Sequence, residues 1–266
     1  MLDVAPNLPT WEMRRRLRDR PAGRPAMYQT WTDLLFVHWR VDPQRVERTL
    51  PRGLHVDTID GAAYVGIVPF FMRNIRPRGL PAVPGISNFL ELNVRTYVRD
   101  EAGTPGVWFY SLDCNQPVAV WTAQALFHLP YRHARMSAAR KGDAIAYASS
   151  VRGTSLRCEL TYALQPTTTE ARPESLEFFL VERYLLYSAA ADGRLFTGQV
   201  HHRPYPVASA EILGAGAARP WVCNLLAEHD FAVDPTRPDH VCGSPGVDVE
   251  VFGLKRHLPR DANVGR

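Results

Sequence analysis

The chain has 266 residues, 45% hydrophobic and 22% charged, the profile of a soluble globular protein with enough material for one large core. Its formal charge of +4 and pI near 9.0 rest almost wholly on arginines spread along the chain, a poor match to the basic stripe or module of a nucleic-acid binder. No apolar run approaches the roughly 20 residues of a membrane span and no apolar leader opens the chain, so a cytoplasmic protein without a membrane partner is expected.

Residues 1–26 read as an extension. It holds one short helix over residues 11–20, closed by Pro21-Ala-Gly-Arg-Pro25, and Glu12 and Asp19 argue against a transit peptide. A solvated segment or a strap across a neighbouring subunit of a homo-oligomer are the options. A single domain is expected over residues 27–258, with a fraying tail over 259–266.

Within that domain, residues 31–41 are aromatic and β-branched enough for a strand. Asp42 and Pro43 then supply the N-cap and first position of a helix. Residues 54–71 read as a hairpin turning at Asp60-Gly61, and residues 73–84 as a Pro/Gly/Arg-rich surface loop. The segment 89–98 alternates: Leu90, Leu92, Val94, Thr96 and Val98 share one face, and Phe89, Glu91, Asn93, Arg95 and Tyr97 the other. The polar face is either a solvated edge or a pocket wall.

A strand over 107–114 follows, then a helix over 115–128 whose Val118, Trp121 and Ala125 face the sheet, with Asp113 as its cap. Three strands are expected over 132–138, 143–151 and 155–165. In the last, Leu156, Cys158, Leu160, Tyr162 and Leu164 point inward and Arg157, Glu159 and Thr161 outward. A helix over 173–184 leads into strands at 185–190, 194–202 and 206–213, a short helix at 219–228 and a final strand at 247–252. The class is mainly β (α+β), an antiparallel sheet or barrel with a few peripheral helices. Four cysteines, at positions 114, 158, 223 and 242, lie too far apart for a zinc site or a disulfide framework, and reduced core thiols are expected.

The segments Asn88-Phe-Leu-Glu-Leu-Asn-Val-Arg-Thr-Tyr-Val98, Phe109-Tyr-Ser-Leu-Asp113, Leu129-Pro-Tyr-Arg-His-Ala-Arg-Met136, Glu182-Arg-Tyr-Leu-Leu-Tyr187 and His202-Arg-Pro-Tyr205 resemble the DUF2071 (YqjF-like) family over residues 28–258. That resemblance implies an acetoacetate decarboxylase-like β-barrel or cone with its active site inside, and so makes the polar face of 89–98 a barrel interior. Acetoacetate decarboxylases use a Schiff-base lysine whose pKa a second lysine lowers. Here Tyr131 and Arg132 stand in the matching segment. An arginine cannot form the imine, and Lys141 and Lys255, the chain's two lysines, read as exposed, so Schiff-base decarboxylation is not expected.

The remaining candidates divide by chemistry. Glu91 is a general acid/base or one half of a structural ion pair with Arg95. Tyr131 and His202 are catalytic candidates beside it. Arg95, Tyr97, Arg132, Arg183 and Tyr187 are candidates for binding an anionic or carbonyl-bearing small molecule. His201 and His202 project to opposite strand faces, so no metal site is expected, and no phosphate loop or other cofactor motif occurs. The expectation is acid/base chemistry of lyase, hydratase, isomerase or cyclase type on a carbonyl or carboxylate compound. A non-catalytic binder using the same cavity is the alternative, and a structural protein with a collapsed interior a third reading.

Overall fold

Two 15-residue strands, β1 (Met27–Val41) and β3 (Ala63–Pro77), pair along their length and form the spine of the molecule. The computed structural model describes residues 7–214 and 221–257. In chain order the elements are α1 (Trp11–Arg16), β1, α2 (Pro43–Glu47), β2 (Leu54–Val56), β3, β4 (Phe89–Asp100), β5 (Pro105–Cys114), α3 (Pro117–Phe127) and β6 (Tyr131–Lys141). There follow β7 (Ala144–Val151), β8 (Arg157–Glu170), α4 (Leu176–Val181), β9 (Leu185–Ala189), β10 (Leu195–His202), β11 (Pro206–Leu213), β12 (Val222–Cys223), a 3-10 turn (Leu225–Glu228), β13 (His240–Val251) and β14 (Lys255–Arg256).

The strands join into one 14-stranded sheet that closes twice. One ring runs β5-β6-β7-β8-β11-β13-β1-β3-β4 and returns to β5. A second leaves the same wall of β13, β1, β3, β4 and β5 through β9 and β10. The forks are β5 and β13. The first half of β5 pairs with β9 at Val107 and Trp108, and its end pairs with β6 at Leu112–Cys114. Both contacts are parallel, against the antiparallel pairing of the other strands, so the sheet is mainly antiparallel as expected, with β5 the exception. The α3 crossover makes the β5–β6 contact possible, because a two-residue turn cannot connect parallel neighbours.

A wall shared by two rings is buried on both faces. One set of side chains, including Leu35, Val37, Val65, Ile67, Leu92 and Val94, packs against Tyr147, Leu160 and Tyr162 of the larger ring. The opposite set, including Leu34, Phe36, Phe70, Phe89 and Tyr97, faces α4, β9 and β10. Asp33, at φ 54, is a bulge that switches β1 from odd to even residues on this second side.

Several sequence expectations change. Asp60 and Gly61 do form a turn with φ positive at both positions, but β2 pairs with β4 and not with β3. Part of the expected 73–84 loop is strand, since β3 continues to Pro77 against the start of β1. The 247–252 strand begins at His240. Its Gly243, Pro245 and Gly246 resemble turn residues, yet Gly246 has φ +141 and a Cβ there would lie 2.3 Å from Trp31 O, so close strand approach explains the glycine. In place of the 219–228 helix stand the two-residue strand β12, paired with β8, and a 3-10 turn, and Arg219 and Pro220 lie outside the described residues, as does the 259–266 tail. Gln116, rather than Asp113, caps α3 by accepting from Val118 N at 3.2 Å.

The amino-terminal helix packs on its own chain. Arg14 donates from Nη1 and Nη2 to the two oxygens of Asp57 at 2.6 and 2.7 Å, and Trp11 meets Phe178 edge to face. All four cysteines are free and buried. No helix among the described residues is long and apolar enough to cross a membrane.

Candidate functional site

The second side of the shared wall encloses a cavity of about 340 Å³. Strand β4 gives it an axis. At one end α4 closes it, with Val181, Arg183 and Tyr205 all buried. At the other, β4 is preceded by the 78–88 loop, and Glu91 pairs with Cys114 immediately before the turn into α3. Val83, Ile86 and Val118 there line the cavity and also meet solvent, which makes this end the mouth. A collapsed interior is therefore not what the chain builds.

Glu91 lies between the two ends and is 3% exposed. The Tyr131 hydroxyl donates to its Oε2 at 2.6 Å. Burial lifts the Glu91 carboxyl to about 7, against the pull of the hydrogen bonds from Tyr131 and Asn93, with the charge of Asp113 adding to the rise. A carboxyl balanced near neutrality can give or take a proton at the same pH, as general acid/base work requires. Burial and the adjacent carboxylate push Tyr131 well above the usual phenol range, so it serves as a hydrogen-bond donor.

Arg95 does not pair with Glu91. Its Nη2 donates to Leu180 O at 3.1 Å, its guanidinium lies over Phe36 and Tyr97 at 5.3 and 5.6 Å, and its buried Nε has no hydrogen-bond partner. No carboxylate among the described residues lies within salt-bridge distance of it, so the ion-pair reading of Glu91 and Arg95 fails. Arg183 also lines the cavity. It donates to Phe179 O at 2.6 Å and to Asp57 at 2.9 Å, and its buried Nη2 is unpartnered. Burial lowers Arg183 to about 10, which leaves it protonated at neutral pH. Asp57 thus serves both Arg14 and Arg183, and the closed end carries excess positive charge beside apolar walls.

The other sequence candidates stand outside the cavity lining. Tyr97 is fully buried behind Arg95, donating to Leu180 O at 2.8 Å and meeting His38 Nε2 at 2.7 Å. Arg132, one residue after Tyr131, projects to the opposite face and is held by Asp113 at 2.7 Å and Glu228 at 2.5 Å. Tyr187 donates to Thr104 O at 2.9 Å within a separate small core of Leu54, Val98 and Leu195. His202 stacks on Tyr184 at 4.5 Å, one ring away from the cavity, and faces an open groove between β1, β10 and β13. Burial drops it to about 4, so it is neutral. Among the described residues no cluster of His, Cys, Asp or Glu could hold a metal ion.

Asn93 belongs with the site residues. It sits between Glu91 and Arg95, lines the cavity, hydrogen-bonds Glu91, and leaves its buried Oδ1 without a partner. Its signal was the alternation of β4 itself. Helix α3 is turned from its expected orientation: Ala119, Thr122, Ala123 and Phe127 face the cavity while Trp121 is 70% exposed. Both lysines are exposed, as expected.

Comparison with known proteins agrees with this architecture. The uncharacterized protein YqjF of Bacillus subtilis is 40% identical over 193 residues, 72% of this chain and 78% of YqjF. Among solved structures, the enduracididine biosynthesis enzyme MppR complexed with pyruvate superposes with a TM-score of 0.61 at 16% identity, covering 91% of this chain and 94% of MppR. Acetoacetate decarboxylase from Legionella pneumophila superposes at 0.59 and 12% identity, covering 93% of this chain and 96% of the decarboxylase. At these identities the likeness is one of fold, an acetoacetate decarboxylase-like barrel. Residues 28–248 match the family described as an uncharacterized conserved protein, DUF2071, and the chain belongs to that family.

Proposed function

We propose that the cavity is the active site of an enzyme that moves protons on a carbonyl- or carboxylate-bearing small molecule. Its outcome would be of lyase, hydratase, isomerase or cyclase type, without a Schiff-base lysine. The observation that carries this reading is Glu91, a buried carboxyl lifted to about 7 on the cavity wall with a tyrosine hydroxyl 2.6 Å away. Glu91 transfers the proton, Tyr131 steadies whichever form lacks it, and Arg95 with Arg183 favours an anionic group. The complex of MppR with pyruvate, in a chain of the same fold, supports a carbonyl acid as ligand. Lys141 and Lys255 are both exposed, where nothing desolvates an amine for imine formation.

Proton exchange tests this whatever product the reaction yields. Incubating the protein in deuterium oxide with a panel of keto acids, followed by proton NMR, should reveal loss of α-hydrogen signal for a subset. Glu91→Gln should abolish that loss while ligand-induced thermal stabilisation persists. Stabilisation with no exchange in the wild type would instead favour the non-catalytic binder, and exchange that survives Glu91→Gln would remove Glu91 from the chemistry. Borohydride trapping should yield no adduct at either lysine.

A further inference from the structure

Seven large apolar side chains stand exposed among the described residues, and six of them belong to two segments at the cavity mouth. Leu80, Val83 and Ile86 are on the 78–88 loop; Val118, Trp121 and Leu126 are on α3. Gln116 ties the segments together, donating from Nε2 to Gly85 O at 2.7 Å. Scattered surface leucines need no explanation, but Val83, Ile86 and Val118 line the opening itself and form an apolar collar there, with Leu80, Trp121 and Leu126 outside the lining.

The interior continues the pattern inward. Its charged groups form one file, Glu91 then Arg95 and Arg183, while β1, β3 and β5 contribute apolar walls such as Phe36, Phe70, Met72 and Phe109. At about 3.4 Å per residue, the Cα atoms of Glu91 and Arg95 are about 14 Å apart. Arg95 leans further from Glu91, because it shares the Leu180 carbonyl with Tyr97, the next residue on that strand face. A three- or four-carbon keto acid is shorter than the gap between the guanidinium and the carboxyl. The volume agrees: about 340 Å³ is room for about eleven waters at roughly 30 Å³ each, twice what such an acid fills.

We propose that the site takes an elongated amphiphilic carboxylic acid, on the order of eight to ten carbons long. Its carboxylate sits deep at Arg95, its chain passes Glu91, and its hydrocarbon end leaves beneath α3 through the apolar collar. This names the substrate class for the acid/base reading above and rests on that reading for the role of Glu91.

The test is calorimetric titration of the full chain with straight-chain carboxylates of three to twelve carbons, each beside its primary alcohol. Affinity should rise about fourfold per added methylene, level off near eight to ten carbons, and favour octanoate over octanol by at least about tenfold. Ala123→Trp, which fills the space beneath α3, should move the plateau at least two carbons shorter. Arg95→Met should erase the preference for acid over alcohol; if that variant does not fold, the wild-type comparison and Ala123→Trp carry the test. Trp121→Lys, on the outer side of α3 and outside the cavity lining, should change nothing.

An affinity that stops rising at four carbons overturns the proposal, as does equal binding of acid and alcohol. Loss of chain-length dependence in Trp121→Lys also overturns it, by moving the ligand to the outer surface. Turnover is not read, so the two claims fail separately. A flat chain-length series alongside Glu91-dependent proton exchange sinks the ligand class alone. Octanoate binding unchanged in a Glu91→Gln variant that still exchanges protons sinks the acid/base role alone.

Discussion

Strand β4 has two faces with the same backbone, the same neighbours and opposite contents. Leu92 and Val94 on one side are in contact with a filled core. Glu91, Asn93 and Arg95 on the other border a cavity and are almost as inaccessible to water. Burial alone therefore does not mark the site. What separates the faces is whether the space opposite is occupied by side chains, and polar groups retained against a void have no packing purpose to explain them.

The filled face should yield the largest effect. Leu92→Ala removes a fully buried side chain from close-packed surroundings and should cost about 2–5 kcal/mol, read as a lower urea midpoint with an unchanged slope. A cost below about 1 kcal/mol would mean that this side also holds free space, and the contrast would dissolve.

Glu91→Gln should act in the opposite direction, and only at high pH. The folded Glu91 carboxyl titrates near 7, above its ordinary 4.5, so the folded chain holds the proton more tightly than the unfolded one. Stability from this group is present below about pH 4.5 and lost as pH rises through 7, a swing on the order of 3 kcal/mol. Replacement by the neutral amide removes that loss. Glu91→Gln should thus match the wild type at pH 4 and exceed it in thermal midpoint at pH 8. Equal pH dependence in the two would show that water reaches Glu91 freely.

Tyr131→Phe should sharpen the same point. The Tyr131 hydrogen bond favours the ionised Glu91, so its loss should raise the carboxyl further above 7 and destabilise the protein at pH 8 by about 1.5–3 kcal/mol. Below pH 5 the cost should fall to about 1 kcal/mol. Carbon-detected NMR of the Glu91 side chain across pH 4–9 would follow the shift directly.

The contrast between the faces was legible in the sequence because it is written in strand alternation, a local pattern. So were the Asp60-Gly61 turn and the inward row of β8. What failed was nonlocal. Nothing near residues 54–71 says that β2 will pair with β4, and nothing near Arg14 says that its carboxylate is Asp57, 43 residues away. The glycines of β13 read as a loop because close strand approach and turns select the same residue. Helix α3 carries apolar side chains around most of its circumference, so the face chosen from its spacing, with Trp121 inward, was not the one that packs. Arg132 and His202 were drawn to the site by the motifs that contain them, yet Arg132 points across its strand and His202 lies one aromatic ring too far out.

Asn93 gives the smallest effect and the closest comparison, since it adjoins Leu92 in sequence and faces the other way. Its truncation to alanine enlarges a space that is already open, so no close-packed contact is lost, and it removes a buried Oδ1 that has no partner. Against this stands one hydrogen bond to Glu91. The two nearly offset, and Asn93→Ala should change stability by less than about 1 kcal/mol, a fraction of the cost of Leu92→Ala. The Glu91 titration should move upward, because a group favouring the ionised carboxylate is gone. A cost equal to that of Leu92→Ala would mean that Asn93 packs as core, and the polar face of β4 would then be a wall without a cavity behind it.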